Sequence, residues 1–340
     1  MEIRFDLASM GMVSATNRLR RMLQPSLLRT PVRPGALLMQ SAATMLELAG
    51  SFNVVRLGER GLNHKLERKG IRSQSVQLGD ANVRYFEGGE GPPVVLLHGF
   101  GASAVWQWHE QIAPLARNHR VIVPDLLWFG GSWSKRRDFS VDYQLEVVTA
   151  LLDHLGIAEA SFVGISYGGI IAHEFAAMHP ERVRKLAILD SPGRSYTAND
   201  HAQMLERFAV EDVGALLVPR TPEDVQTLLE VGYHKPPKTP RWVHGQVLRA
   251  MYGEFREEKV QLLSSLLGEL GGLRARPGKV RHETLLIWGE HDLVFPLEIG
   301  RRLQADMGGR ARLRVVAGAG HAPNLEHGGL VARWLVDFLR

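Results

Sequence analysis

The chain has 340 residues, 45% of them hydrophobic and 23% charged, the balance of an ordinary globular protein long enough to bury a sizeable core. It contains no cysteine, which excludes disulfides, thiolate nucleophiles and cysteine-ligated zinc or iron–sulfur sites. The formal charge of +5 is uneven: residues 1–75 hold 12 Lys and Arg against 5 Asp and Glu, a net of +7, and the remainder nets −2.

Residues 10–24 read as a short helix with a basic side at Arg18, Arg20 and Arg21, ended by Pro25. Residues 36–49 read as a second, with Leu38, Ala42, Met45 and Leu48 at helical spacing and Gly50 as its stop. The segment 1–75 is therefore expected to be a basic helical extension. It is a candidate for peripheral contact with an anionic membrane surface, the alternatives being a solvated face, packing on the core or dimerisation. No run of 18 apolar residues occurs, so no spanning helix is expected. The start lacks the order of a secretory signal, and Glu2 and Asp6 argue against a transit peptide. The expected location is cytoplasmic, with membrane association left open, and nothing predicts a nucleic-acid partner.

From about residue 76 short apolar runs recur at Val94–Leu97, Val121–Val123, Ser161–Val163, Leu186–Leu189, Leu285–Trp288 and Leu313–Val316, separated by helical patterns. Runs of this kind suit parallel strands covered by helices on both faces. The repetition predicts a doubly wound, mostly parallel α/β sheet over 76–193 and 280–340. Between Asp190 and Leu285 no strand is evident, and helical stretches fall near 198–209, 222–231, 241–252 and 255–270. Thr221-Pro222-Glu223-Asp224 has a hydroxyl N-cap, proline at the first position and acids in the first turn. Residues 194–279 are read as a helical cap inserted into the core. Its apolar residues, among them Leu216, Leu217, Leu228, Leu229, Trp242, Leu248, Met251, Tyr252, Leu262 and Leu263, either line an acyl pocket or pack the cap onto the core.

The run Phe162-Val163-Gly164-Ile165-Ser166-Tyr167-Gly168-Gly169 carries the chemistry. A strand leads in and a helix leads out, and a serine at so sharp a turn projects its hydroxyl; the glycines relieve the crowding around it. A serine hydroxyl is a weak nucleophile and needs a base with a pKa near neutral, itself oriented by a carboxylate. Asp292 follows the strand Leu285–Trp288, and His321 follows the last strand. The order Ser166, Asp292, His321 is that of a strand–turn–helix hydrolase. Asp190, at the end of Leu186–Leu189, is the rival acid. His98-Gly99-Phe100-Gly101 ends an earlier strand, so the backbone N–H groups of Phe100 and Tyr167 are the expected oxyanion-hole donors. His98 and Asp125 are read as turn architecture, and His291 as a surface loop residue.

Together, His98-Gly99-Phe100-Gly101, the stretch Pro124-Asp125-Leu126-Leu127-Trp128-Phe129-Gly130-Gly131-Ser132, the Ser166 turn and the Asp292 and His321 loops resemble the α/β-hydrolase family over residues 80–193 and 280–338. Single-domain lipases and carboxylesterases with helical caps are the most similar members. The resemblance implies no cofactor and no metal, a small-molecule or lipid ester as substrate, and an acyl-enzyme on Ser166. A serine nucleophile separates the chain from haloalkane dehalogenases and epoxide hydrolases, which use aspartate. Carbon–carbon bond hydrolases with the same triad usually show His-Gly-x-Gly-Pro-Gly, where this chain has Ala102 and Ser103 after Gly101. The alternatives are another hydrolase or acyltransferase on the same triad, a perhydrolase-like enzyme, or a hydrolase-like receptor.

Overall fold

In the computed structural model, residues 53–340 are described; the helices expected over 10–24 and 36–49 lie outside them. The chain enters through helix α1 (Val54–Glu67), capped by the Asn53 side chain, and runs into a hairpin of β1 (Arg72–Leu78) and β2 (Ala81–Gly88). Leu78 pairs with Ala81, so the turn is the two residues Gly79 and Asp80, with Gly79 at φ +56°. β1 is a polar, mostly exposed edge strand, which protects the sheet from adding a further chain. Both α1 and the start of β1 fall inside the segment expected to be an extension. α1 is tied to the cap by the Val54 N–H, which donates to Gln246 Oε1 at 2.6 Å.

The chain continues through β3 (Pro93–Leu97), the short helices α2 (Ala104–Trp108) and α3 (Ile112–Leu115), β4 (Arg120–Pro124), a two-residue strand β5 (Trp133–Ser134), and α4 (Val141–His154). Then come β6 (Ala160–Ile165), α5 (Tyr167–Met178) and β7 (Val183–Leu189). The cap follows: α6 (Ala198–Phe208), α7 (Gly214–Leu217), α8 (Pro222–Gly232), α9 (Arg241–Tyr252) and α10 (Arg256–Leu273). Thr221 and Asp224 close the capping box expected at the start of α8, and Thr197 and Asp200 close another on α6. The chain returns through β8 (Thr284–Gly289), α11 (Leu297–Met307), β9 (Ala311–Val316), α12 (Pro323–Glu326) and α13 (Gly328–Leu339).

The strand order is β1-β2-β4-β3-β6-β7-β8-β9, with β5 alongside β2; β1 and β2 are antiparallel, and the strands from β4 onward are parallel. The period of two is visible in the core. Val94 and Leu96 enter one buried cluster, with α2, α3 and α13, while Val95 and Leu97 enter the other, with α4, α5 and the cap. Five of the six apolar runs, on β3, β4, β6, β7 and β8, are legible because both of their faces are buried this way; the sixth, Leu313–Val316, lies on the edge strand β9, where Arg314 and Val315 are exposed.

The neck of the cap has its own fastening. Arg194, on the outgoing segment, donates from Nη1 to the Arg276 and Gly278 carbonyls, 3.0 and 2.9 Å, on the incoming one. Its Nε and Nη2 bind both oxygens of Glu174, a fully buried carboxylate on α5, at 2.7 and 2.9 Å. Burial raises that carboxyl, but the neighbouring His173 and the forked Arg194 together outweigh it and hold the group below its usual range.

Candidate active site

The chain passes from β3 to β4 on one side and then to β6 on the other, so the switch in direction lies between β3 and β6. A crevice at the C-terminal ends of the strands at such a point is where α/β sheets place ligands. Here it brings together the loop after Leu97 and the turn after Ile165. A β-carbon at Gly99 would sit 3.3 Å from Ser166 Cβ.

Ser166 has φ 52° and ψ −119°, a conformation strained for a residue with a β-carbon. The turn is tolerated because its neighbours lack side chains: a β-carbon at Gly168 would collide with the carbonyls of Leu97 and His98, and one at Gly164 with the carbonyl of Gly168. The Ser166 N–H donates to Leu189 O at 3.0 Å, anchoring the turn to β7.

His321 Nε2 is 2.9 Å from Ser166 Oγ, and His321 Nδ1 is 2.9 Å from Asp292 Oδ2. A carboxylate only accepts, so Nδ1 carries the proton and Nε2 is free to accept from the serine hydroxyl. The second Asp292 oxygen, Oδ1, accepts from the N–H groups of Val294 and Phe295 at 2.8 and 3.0 Å. Both oxygens of this buried carboxylate are therefore committed.

Asp190 is the neighbouring acid. Its Oδ1 accepts from Gly289 N–H at 2.8 Å, while its Oδ2 is buried without a partner among the described residues. Burial, reinforced by the charge of Asp292, pushes its carboxyl well above the usual range. Its relation to His321 is proximity: one polar atom each of Asp190, Asp292 and His321 lie within 4.8 Å of one another. Three ligand-type atoms this close are the kind of group that holds a cation; here the Asp292–His321 hydrogen bond occupies the facing atoms.

His98 proves to be architecture. Its Nδ1 lies 2.8 Å from Gly99 O and its Nε2 accepts from Leu126 N–H at 2.9 Å, a pairing that fixes one neutral tautomer. Burial lowers its pKa accordingly. Asp125 likewise spends its oxygens on Ala104 N–H, Gly131 N–H and Arg84 Nε, at 2.7, 2.9 and 2.5 Å. His291 stacks on His234 of the cap, with ring centroids 4.0 Å apart. Phe100 follows Gly99, and Tyr167 opens α5, where a backbone N–H has no partner inside its helix. The Phe100 and Tyr167 rings meet edge-on at 6.1 Å, Phe129 lies 5.1 Å from Phe100, and Phe295 stands 5.5 Å from the His321 ring, giving the site an aromatic wall.

Much of that wall comes from core loops. Leu216, Tyr252, Leu262 and Leu263 of the cap are buried in the cluster shared with the sheet, Leu217, Leu228, Leu248 and Met251 pack against it, and Trp242 is 58% exposed. Tyr252 does reach the site's edge: a β-carbon at Gly101, which has φ +82°, would strike its hydroxyl.

Two supports of His321 were not read from the sequence. Glu326 accepts from Gly320 N–H at 2.6 Å with one oxygen and from Lys235 N–H of the cap at 3.1 Å with the other. Asn324, fully buried, donates to Gln107 O at 2.7 Å and accepts from Gln107 Nε2 at 3.1 Å, and its backbone carbonyl accepts from Gln111 Nε2 at 2.9 Å.

Residues 92–328 match the family model described as alpha/beta hydrolase fold. A 2-hydroxymuconate semialdehyde hydrolase of Pseudomonas sp. (strain CF600) is 31% identical over 271 residues, 74% of this chain and 88% of that protein. The dihydrolipoyllysine-residue acetyltransferase component of the acetoin cleaving system of Pseudomonas putida is 31% identical over 81% of this chain and 71% of its own length. Among solved structures, a membrane phospholipase A described as a bacterial virulence factor superposes with a TM-score of 0.69 at 29% identity, covering 89% of this chain and 96% of that one.

Proposed function

The chain belongs to the α/β-hydrolase fold family and is a serine hydrolase of that fold; from this premise we propose that it cleaves carboxylic esters with apolar acyl groups, Ser166, His321 and Asp292 being the triad. The observation that carries the reading is the continuous hydrogen-bonded path from Ser166 Oγ through both nitrogens of His321 to Asp292. In the proposed mechanism His321 Nε2 takes the hydroxyl proton as Oγ attacks the ester carbonyl. The backbone N–H groups of Phe100 and Tyr167 receive the oxyanion, each donor contributing about 3–4 kcal/mol. His321 then returns the proton to the leaving alcohol, and water releases the acyl group by the same steps in reverse.

The aromatic wall of Phe100, Phe129, Tyr167 and Phe295 supports an apolar acyl chain. The likeness to a membrane phospholipase A supports a lipid ester, and with it a role for the basic segment before residue 53 in surface contact. Among the described residues no helix is long and apolar enough to cross a membrane. A second reading, hydrolysis of a carbon–carbon bond, is favoured by the 31% identity to a semialdehyde hydrolase. The loop sequence Gly101-Ala102-Ser103 weighs against it.

A series of p-nitrophenyl esters from acetyl to octanoyl, run beside a vinylogous 1,5-diketone acid, tests both. The ester reading expects kcat/KM to climb with chain length, since a buried methylene contributes about 0.8 kcal/mol. A steady fall from acetyl to octanoyl, or faster turnover of the diketone acid than of any ester, would overturn it.

A further inference from the structure

Behind the oxyanion loop lies a chamber of about 430 Å³, walled by α1, by Ala102, Ser103 and Trp106, and by the end of α9 and start of α10. None of Phe100, Phe129, Tyr167, Phe295, Ser166 and His321 lines it; Phe129 lies 5.5 Å from Lys259 Nζ and 5.1 Å from the Phe100 ring. Eleven buried side-chain polar atoms among the described residues have no hydrogen-bond partner, and four of them belong to residues lining this one chamber: Asn63 Oδ1, Arg84 Nη2, Ser103 Oγ and Trp106 Nε1. A buried polar group left unsatisfied costs about 1–3 kcal/mol, so such a concentration points to a ligand.

Ser103 is the clearest case. It is 7% exposed and sits at the N-cap of α2 in the extended conformation of a capping serine, yet its hydroxyl makes no cap bond. The work is done by Asp125 Oδ1, which accepts from Ala104 N–H, the first in the helix. The Ser103 hydroxyl is thereby left over. Arg84 is similar: Nε binds Asp125 and Nη1 binds Glu59, which leaves Nη2 over. Lys259, almost fully buried, spends one N–H on Glu254 O at 2.7 Å and faces the rings of Phe129 and Phe255. The charges around the chamber are Arg56, Arg60, Arg84 and Lys259 against Glu59, Glu254 and, behind Arg84, Asp125. The unused groups are three donors and one amide oxygen, and an amide can present its N–H₂ instead.

We propose that this chamber binds a phosphate-type oxyanion group, held by Arg84 Nη2, Ser103 Oγ, Trp106 Nε1 and Lys259 Nζ. The donors outnumber the acceptors and include two cations, which suits an acceptor-only ligand, and guanidinium with hydroxyl and indole N–H is a donor set that a phosphate oxygen shell can fill. The proposal does not depend on which bond Ser166 cleaves.

Calorimetric titration of the full chain with inorganic phosphate and with sn-glycerol 3-phosphate tests it, beside sedimentation with vesicles of phosphatidylcholine alone and with added phosphatidylglycerol. Saturable binding of both soluble probes identifies a free phosphate site. Binding of glycerol phosphate and of phosphatidylglycerol vesicles without inorganic phosphate identifies a lipid headgroup site. Each of Ser103→Ala and Trp106→Phe should weaken the binding about tenfold or more, the value of one hydrogen bond to a charged group. Ser103→Ala removes no capping bond, so its melting temperature should stay near that of the parent, keeping the test clear of misfolding. Absence of saturable binding by any probe, or affinity unchanged in the Ser103→Ala, Trp106→Phe double variant, overturns the proposal and leaves the chamber to water.

Discussion

Replacing Asp292 by asparagine separates the two buried acids, and the expected size of the effect follows from atom-by-atom accounting. Both oxygens of Asp292 accept hydrogen bonds, Oδ2 from His321 Nδ1 and Oδ1 from two backbone N–H groups. An amide has one oxygen. If it stays with the backbone pair, its N–H₂ faces Nδ1, and the imidazole must carry its proton on Nε2, where it repels the Ser166 hydroxyl hydrogen. Loss of the base and of the charge behind it costs about 10⁴ in kcat, or about 5.4 kcal/mol. Asp190→Asn is different in kind. Only one Asp190 oxygen is bonded, and burial beside the Asp292 charge raises its pKa well above the usual range, so an uncharged amide resembles the form its surroundings favour. Its amide keeps the Gly289 bond, so kcat should change by less than about tenfold. Steady-state hydrolysis of p-nitrophenyl butyrate, with the rate of fluorophosphonate labelling of Ser166 as a second reading, measures both variants. Equal or reversed losses would refute the assignment of the acid to the β8 loop.

Ser166→Ala should lower kcat by about 10⁶ and abolish fluorophosphonate labelling without altering the melting temperature much; label persisting on another residue would move the nucleophile. Asp190 also makes a stability prediction. A carboxyl whose pKa is raised on folding binds its proton more tightly in the native state, so stability should fall as pH rises from the unfolded carboxylate value toward the raised native one. Asp190→Asn should flatten that slope and gain stability over the parent at pH 7 more than at pH 4, as read by urea denaturation; parallel curves would show that Asp190 ionises normally. Glu326→Gln leaves one oxygen for two donors, Gly320 N–H and Lys235 N–H, and should lower kcat about tenfold with little change in KM. Unchanged kcat would mean that the His321 loop holds its position without Glu326.

Ser166 and Asp292 could be read from the sequence because each follows a strand with two buried faces, which announces itself as an apolar run, whereas His321 follows the half-exposed edge strand β9 and was marked by the small residues around it. β1 could not, since Arg72-Ser73-Gln74-Ser75 is the sequence of a solvated edge. α1 was hidden by Gly58 and Gly61, which lower helix propensity, and by the basic character it shares with the residues before it. A boundary at residue 75 cuts through β1, which pairs with β2 along its whole length, so a deletion that spares the sheet must end before Arg72, and one that also spares α1 must end before Asn53. The supports of His321 were illegible on other grounds. Gln107 and Asn324 lie 217 positions apart, and no local pattern marks either as a partner of the other. The rivalry of Asp190 and Asp292 was visible but undecidable, because both end strands on the same sheet edge and only the direction of the His321 ring separates them.

The neck of the cap has a consequence for how such a chain can change. Arg194 and Arg276 stand 82 positions apart and are held by hydrogen bonds, in a molecule with no cysteine to do so covalently. The fastening closes a large ring of polymer, and the entropy of closing a ring grows only with the logarithm of its length; doubling it costs about 0.6 kcal/mol. Insertions and deletions between the two arginines are therefore thermodynamically cheap, provided the ring's ends stay clasped on Glu174. The triad lies outside the ring. Length and sequence can drift inside the ring while Ser166, Asp292 and His321, set on turns of the sheet, stay in register.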